Sequence, residues 1–114
     1  MAVESSLPRL WQFVAALLAI GGALAGCVPP EPLRLGFLGG LSGRVADLGI
    51  AGRNGAMLAV EIRNSSGGVN GRVVELLVED DKQDPDLARK AVGRLLERKV
   101  EVIIGPMTSA MAVA

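Results

Sequence analysis

The sequence of 114 residues contains no histidine and a single cysteine, Cys27. Without histidine the chain lacks the commonest general base and the commonest metal ligand, and one cysteine supports neither an intrachain disulfide nor a cysteine-based zinc site. Twelve acidic and twelve basic residues balance, so no net field attracts nucleic acid or an acidic partner. The length fits one small domain, and no metal or cofactor is expected.

An uncharged apolar run occupies residues 10–25, after a polar stretch that contains Glu4 and Arg9. A membrane-spanning helix needs about 20 apolar residues, whereas this run is shorter and contains the pair Gly21-Gly22. Such a run is typical of the hydrophobic region of a secretory signal. We therefore predict that the protein is exported.

The apolar run ends in the sequence LAGC, residues 24–27. It resembles a lipobox, in which small side chains precede the cleavage point and the cysteine thiol carries a diacylglycerol. The alternative is a plain signal peptide or a short anchor with an incidental cysteine. The lipobox predicts a signal peptide over residues 1–26, then a lipidated Cys27 and a proline-stiffened linker to residue 32. The protein would then be periplasmic or at the cell surface, anchored to the membrane.

Strands and helices alternate from residue 33 onwards. Apolar runs bounded by proline, glycine and turn residues predict strands over residues 33–39, 73–79 and 100–104. The spacing of apolar residues predicts a helix over residues 48–63, which a turn over residues 64–71 ends. The predicted buried face of this helix comprises Leu48, Ala51, Gly55, Leu58, Ala59 and Ile62.

A second helix is predicted to start at Asp84-Pro85, because aspartate caps free N–H groups and proline is tolerated in the first turn. Its predicted apolar face comprises Leu87, Ala91, Leu95 and Leu96, and its last turn contains Arg98 and Lys99. Alternating strands and helices predict an α/β fold: a Rossmann-like parallel sheet with flanking helices. The expected strand order is two, one, three, with the third strand at an edge.

Ligands of open parallel sheets bind outside the carboxyl ends of the strands. Residues 40–47, 80–84 and 105–109 form the loops at that edge. In the last of these, Thr108 and Ser109 stand at the start of a helix, where unpaired N–H groups favour an anion. The alternative is an ordinary helix cap.

The other two loops have weaker chemical signals. The glycine-rich first loop contains neither of the nucleotide-binding patterns GxGxxG and GxxxxGK[ST]. Asp80-Asp81 is compatible with a metal or phosphoacceptor site like that of a receiver domain, or with solvated or capping carboxylates. A nucleophile-and-base arrangement would need a histidine or another placed base.

Residues 33–110 resemble the amino-terminal lobe of periplasmic binding proteins of the leucine/isoleucine/valine-binding type. The matching features in chain order are Ser42-Gly43, Gly55-Ala56, Gly67-Gly68, Asn70-Gly71, Asp80, Asp84-Pro85, Ala88, Gly105 and Ser109. The resemblance implies that residues 33–114 form a partial amino-terminal lobe of a type I periplasmic binding protein. Two lobes of ordinary size need about 200 to 300 residues, so we expect a truncated protein.

The resemblance also implies roles for particular residues. Ser109 matches the serine whose hydroxyl and backbone N–H hold the ligand's α-carboxylate, and Met107 matches a backbone contact. Leu48 matches a position that is often aromatic and faces the ligand. Together with Ser42 and Thr108, these are the candidate ligand-binding residues.

The function implied by the resemblance is binding and not catalysis. Such a protein delivers an amino acid of the branched-chain type, or a similar small carboxylate, to the permease subunits of an ABC importer. One alternative is a ligand-sensing domain of a receptor or regulator, which reuses the same lobes. Another is a small Rossmann-like enzyme, which would need a nucleotide loop or a catalytic base.

Overall fold

The computed structural model describes residues 28–113, so the predicted signal peptide and Cys27 lie outside the described residues. The elements follow one another as β1 (Leu33–Gly39), α1 (Ala46–Ser65), β2 (Val74–Asp80), α2 (Pro85–Glu97), β3 (Val102–Ile104) and α3 (Ser109–Ala112). This alternation of strands and helices is the predicted one.

The strands form one parallel sheet in the order β2-β1-β3, which confirms the predicted fold class and strand order. Neighbouring side chains of β1 point to opposite faces of this sheet. A Cβ at Gly36 would lie 2.9 Å from Leu95 of α2, whereas Phe37 lies under Gly52 of α1. The two long helices therefore cover opposite faces, and the sheet forms the middle of three layers.

Helix α2 begins and packs largely as predicted. Asp84 is its N-cap and accepts hydrogen bonds from the backbone amides of Asp86 at 2.8 Å and Leu87 at 2.9 Å. These bonds satisfy amides that the first helical turn leaves free. The buried side chains of α2 are Ala88, Ala91 and Leu95.

Two predictions for the α2 region are wrong. Leu96, assigned to the apolar face, is 61% exposed. Arg98 and Lys99 lie beyond the helix, which ends at Glu97; Arg98 is the C-cap and Lys99 has a φ of 58°. A residue with positive φ cannot continue a right-handed helix, so the helix cannot extend through Lys99, and Arg98 is left as its C-cap.

The predicted buried face of α1 is also wrong. Leu48, Leu58 and Ile62 are 51%, 57% and 60% exposed, and Ala51, Gly55 and Ala59 are exposed as well. The helix instead turns small residues towards the sheet. A Cβ at Gly49 would lie 2.0 Å from the carbonyl oxygen of Gly40. The helix therefore approaches the loop after β1 so closely that only glycine fits on this face.

Several boundaries differ from those predicted. Helix α1 starts two residues earlier, at Ala46, and continues through Asn64, which was assigned to the following turn. The Asn64 side chain donates to the carbonyl of Val74 at 2.9 Å and accepts from its amide at 2.8 Å. These two hydrogen bonds connect the end of α1 to the start of β2. Strand β2 begins at Val74, one residue later than predicted.

Strand β3 is shorter than predicted and forms one edge of the sheet. Its pairing with β1 begins at Val102, and the preceding Glu101 amide donates to the carbonyl of Arg34 at 2.8 Å. Val102 is 57% and Ile104 is 36% exposed. The predicted position at an edge is therefore confirmed.

Candidate ligand-binding site

Three loops meet at the carboxyl edge of the parallel sheet. We call residues 40–45, 81–84 and 105–108 the first, second and third loop; they follow β1, β2 and β3 respectively. Because the strands are parallel and adjacent, the order β2-β1-β3 places the first loop between the other two. All candidate ligand-binding residues lie in these loops or in the first turn of the helix that follows.

Asp80, the last residue of β2, fastens the first loop to the second. One carboxylate oxygen accepts hydrogen bonds from the backbone amides of Leu41 and Lys82, each at 2.8 Å. The other accepts from the hydroxyl of Ser42 at 2.8 Å. Ser42 is therefore held at the site by Asp80, with its hydroxyl proton committed to the carboxylate.

The electrostatic environment of Asp80 favours its ionised form. Burial alone would raise the pKa of Asp80. The hydrogen bonds from Leu41, Lys82 and Ser42, together with the charge of Lys82, outweigh that effect and lower the pKa below its usual value. Asp80 therefore carries a negative charge at neutral pH and holds the first loop through charge-assisted hydrogen bonds.

Gln83 connects the second loop to the third. Its side-chain amide nitrogen donates to Asp81 Oδ1 at 3.1 Å, and its side-chain oxygen accepts from the hydroxyl of Thr108 at 3.1 Å. Thr108 occupies the N-cap position of α3 but makes no side-chain cap hydrogen bond. The alternative in which Thr108 is an ordinary helix cap is therefore wrong, since its hydroxyl is directed to Gln83.

Met107 anchors the third loop to the core. A Cβ at Gly39 would lie 3.0 Å from Met107 Cγ, and one at Gly52 would lie 2.8 Å from its sulfur. The side chain thus occupies the space between β1 and α1. Gly105 has a φ of 121°, and a Cβ there would collide with the carbonyl oxygen of Leu38. The absence of a side chain therefore lets the third loop lie close to β1.

The remaining candidates lie exposed at helix starts. Leu48 is in the first turn of α1, and Ser109 is the first residue of α3. The structure therefore brings Ser42 and Thr108 to one edge of the sheet through Asp80 and Gln83. It gives the Met107 side chain a packing role.

Asp81 and Gln83 are site residues that the sequence interpretation missed. Asp81 was considered only together with Asp80, as a metal or phosphoacceptor site or as a solvated or capping carboxylate, but it is completely buried. Its Oδ1 accepts from the backbone amide of Gln83 at 2.8 Å. The only sequence signal was position, because both residues lie between the end of a strand and the Asp84 helix cap.

Neither a metal cluster nor a membrane span is found in the described part of the chain. Within residues 28–113, no group of three or more histidine, cysteine, aspartate or glutamate side chains could hold a metal ion. None of the helices described here combines the length and apolarity needed to cross a membrane. A charged cleft of about 470 Å³ lies at the opposite end of the sheet, beside Arg34, Glu75 and Glu97, and contains none of the candidate residues.

Comparisons with known proteins identify relatives over most of the chain. A family model described as periplasmic binding protein matches residues 32–114. The leucine-, isoleucine-, valine-, threonine- and alanine-binding protein of Pseudomonas aeruginosa is 30% identical over 107 residues, covering 94% of this chain and 28% of that protein. The Leu/Ile/Val-binding protein of Escherichia coli is 29% identical over 94 residues, covering 75% of this chain and 26% of that protein.

Solved structures show the same arrangement. The branched-chain amino acid transporter substrate binding protein LivJ from Streptococcus pneumoniae, in complex with isoleucine, matches with a TM-score of 0.69 and 33% identity. That match covers 71% of this chain and 24% of LivJ. A solute binding protein from R. palustris, in complex with benzoate, has a TM-score of 0.61 and 31% identity, covering 73% of this chain and 23% of that structure.

These matches define both the family and the extent of the likeness. The chain spans about a quarter of the length of the relatives named here, with shares of 28%, 26%, 24% and 23%. The matched segment is a three-stranded parallel sheet with flanking helices, which is part of a lobe. Since the family model covers residues 32–114, this chain belongs to the periplasmic binding protein family.

Proposed function

We propose that the chain is the amino-terminal part of an exported solute-binding lipoprotein that serves an ABC importer. Its ligand would be an amino acid of the branched-chain type or a similar small carboxylate. The observation that carries this proposal is the carboxyl edge of the sheet, where Asp80 and Gln83 hold three loops together. Parallel sheets bind ligands at this edge, and the relatives are named as binding proteins.

A carboxylate is the feature shared by the ligands of two matched structures. One was solved with isoleucine and the other with benzoate, which differ in every other functional group. We assign recognition of the carboxylate to Ser109, an exposed residue at the start of α3. Leu48, an exposed apolar residue in the first turn of α1, would then contact the ligand's side chain.

The proposed binding activity needs a second lobe. Two-lobed proteins enclose a ligand by hinge closure, and the present chain corresponds to about a quarter of its relatives, 28% of the first. We therefore propose that residues 33–114 contribute one wall of the site and that the opposite wall comes from a segment equivalent to the rest of those relatives. The role is binding and not catalysis.

A chimaera tests the ligand assignment. Residues 33–113 would replace the corresponding segment of the Streptococcus pneumoniae protein, and isoleucine binding would be measured by calorimetry before and after Ser109→Ala. A hydrogen bond to a charged group contributes about 1.5 to 3 kcal/mol, so the dissociation constant should rise by about 10- to 100-fold.

Ser65→Ala is the matched control, because Ser65 lies at the end of α1 and its hydroxyl donates to the carbonyl of Glu61 at 2.9 Å. It should leave the affinity unchanged. Equal affinities for the parent chimaera and Ser109→Ala would remove Ser109 from the site. A parent chimaera that binds neither isoleucine nor benzoate would contradict the proposed ligand class.

The proposed lipid anchor on Cys27 has a separate test. Cleavage after Gly26 and lipidation should give a membrane-fraction protein whose amino-terminal cysteine carries a diacylglycerol, detectable by mass spectrometry. Cys27→Ser should block this maturation or release the protein. An unmodified Cys27 in a cleaved, freely dispersed protein would contradict the proposal.

A further inference from the structure

Gln83 touches all three loops of the candidate site. It belongs to the second loop, and its side chain bonds both Asp81 of that loop and Thr108 of the third. It also lies against the first loop, because a Cβ at Gly40 would be 2.5 Å from the Gln83 side-chain nitrogen. Among the described residues, its two side-chain hydrogen bonds connect a buried carboxylate with the loop that contains Met107 and Thr108 and leads to Ser109.

The orientation of the Gln83 amide is determined by Asp81. The amide nitrogen of Gln83 donates to Asp81 Oδ1 at 3.1 Å, so the amide oxygen faces Thr108, whose hydroxyl donates to it at 3.1 Å. Asp81 is 0% exposed, and within the described part its second oxygen has no hydrogen-bond partner. Its Oδ1 accepts from the backbone and side-chain nitrogens of Gln83 alone, which makes the side-chain donor of Gln83 hard to replace.

We propose that Gln83 is the positioning residue of this site: it sets the third loop against the other two by joining the hydroxyl of Thr108 to the buried carboxylate of Asp81. Gln83 acts through Thr108 and not on the ligand itself. Its importance for binding rests on the proposed function, whereas its effect on the third loop does not.

The sharpest variant is Gln83→Glu, which keeps the shape of the side chain but exchanges the donor for a second carboxylate. Near neutral pH the introduced carboxylate faces the acceptor Asp81, so the connection breaks. Protonation of the introduced group at low pH restores a donor. The other charged groups are Asp80 at the end of β2, Lys82 and Asp84 of the second loop, Arg44 of the first and Asp47 at the start of α1; the third loop has none.

The first readout is amide hydrogen exchange of residues 106–112 in the 114-residue chain, corrected for the intrinsic effect of pH. We expect exchange about tenfold faster in Gln83→Glu than in the parent at pH 8, corresponding to one lost hydrogen bond. The difference should shrink towards pH 5, while the corrected rate of the parent stays constant. A purely structural side chain would give a defect that does not change with pH.

Thr108 provides a matched pair that does not depend on Gln83→Glu folding. Thr108→Val removes the hydroxyl at nearly constant shape, and Thr108→Ser keeps it. The valine variant should exchange about tenfold faster at both pH values, whereas the serine variant should match the parent. Equal exchange in the valine and serine variants would overturn the proposal, as would a Gln83→Glu variant identical to the parent at pH 8.

The second readout is isoleucine affinity in the chimaera described above. Gln83→Glu should weaken binding about tenfold at pH 8 and recover towards pH 5. If the parent chimaera binds neither isoleucine nor benzoate, the proposed function fails, and the exchange measurements still decide the role of Gln83. If it binds and Gln83→Glu changes neither affinity nor exchange, only the inference about Gln83 is overturned.

Discussion

Helices α1 and α2 cover opposite faces of the same sheet, but they pack in different ways. Helix α2 buries Ala88, Ala91 and Leu95, and Leu95 fills the space that Gly36 leaves on β1. Gly49 is the one buried residue of α1. An apolar cavity of about 180 Å³ remains beside it, lined by residues that include Leu35, Ala56 and Ile104.

The difference shows that apolar spacing and burial are separate properties of a helix. Helix α1 has the longer apolar pattern, yet Leu48, Leu58 and Ile62 are more than half exposed. Its position is set by glycines, of which Gly49 permits a close backbone approach to the first loop and Gly52 leaves room for Met107 and Phe37. Helix α2 is positioned by larger side chains, so deleting their atoms should weaken the fold much more than deleting atoms from the apolar stripe of α1.

The largest expected effect is that of Leu95→Ala. Leu95 is 0% exposed, so the change removes buried methyl groups and leaves a cavity against Gly36. We expect a loss of about 2 to 5 kcal/mol in the free energy of unfolding of residues 28–114, measured in urea. The same substitution at Leu58, which is 57% exposed, is the control and should cost less than about 1 kcal/mol. Similar losses at both positions would remove the distinction between the helices.

A smaller effect is expected from Gly49→Ala, which tests the glycine contact of α1. The new methyl group would lie 2.0 Å from the carbonyl oxygen of Gly40, so backbone must move. We expect destabilisation by about 1 to 3 kcal/mol. Gly55→Ala in the same helix meets nothing within 4 Å and should stabilise by about 0.5 to 1 kcal/mol. Urea unfolding should therefore show shifts of opposite sign, and a stabilised Gly49→Ala would contradict the close contact.

The smallest effect is expected from Asp80→Asn, which separates the site loops from the helical core. At pH 7 the variant should be less stable by about 1 kcal/mol, because hydrogen bonds to a charged acceptor are weakened. The folded-state pKa of Asp80 is lower than 3.8, the ordinary value of an aspartate side chain. The greater stability of the parent relative to Asp80→Asn is therefore complete above about pH 4, and it decreases as the pH falls through the folded-state pKa of Asp80.

Thermal melts of both proteins between pH 7 and pH 2 would measure this advantage. Ser42→Ala removes only one of the three hydrogen bonds to Asp80 and should give a smaller loss with the same pH dependence. An advantage that grows as the pH falls would contradict the lowered pKa of Asp80.

Much of the fold was predictable because its signals are local. Pro32 and the pair Gly39-Gly40 bound the first strand, which has the predicted limits, and Asp84-Pro85 marks the start of α2. The alternation of strands and helices then leaves few arrangements other than a parallel sheet with right-handed crossovers. The observed strand order β2-β1-β3 is the predicted one.

The candidate site was predictable in place but not in its connections. The loops after parallel strands marked the edge, and Ser42 and Thr108 lie there. Sequence pattern could not show that Asp81 is buried while the adjacent Asp80 fastens the first loop, since the two carboxylates are chemically identical. It also could not show Gln83 meeting Thr108, because the two residues are 25 positions apart.

The sequence by itself determined the class of elements, their order and the edge of the sheet where the candidate loops meet, because strand periodicity, proline, glycine and helix caps act over a few residues. Only the tertiary structure decided which face of α1 is buried and which polar side chains hold the loops. Those outcomes depend on distances between segments far apart in the chain. One example is the distance of 2.0 Å between a Cβ added at Gly49 and the carbonyl oxygen of Gly40. Another is the hydrogen bond of 3.1 Å from the Thr108 hydroxyl to the side-chain oxygen of Gln83.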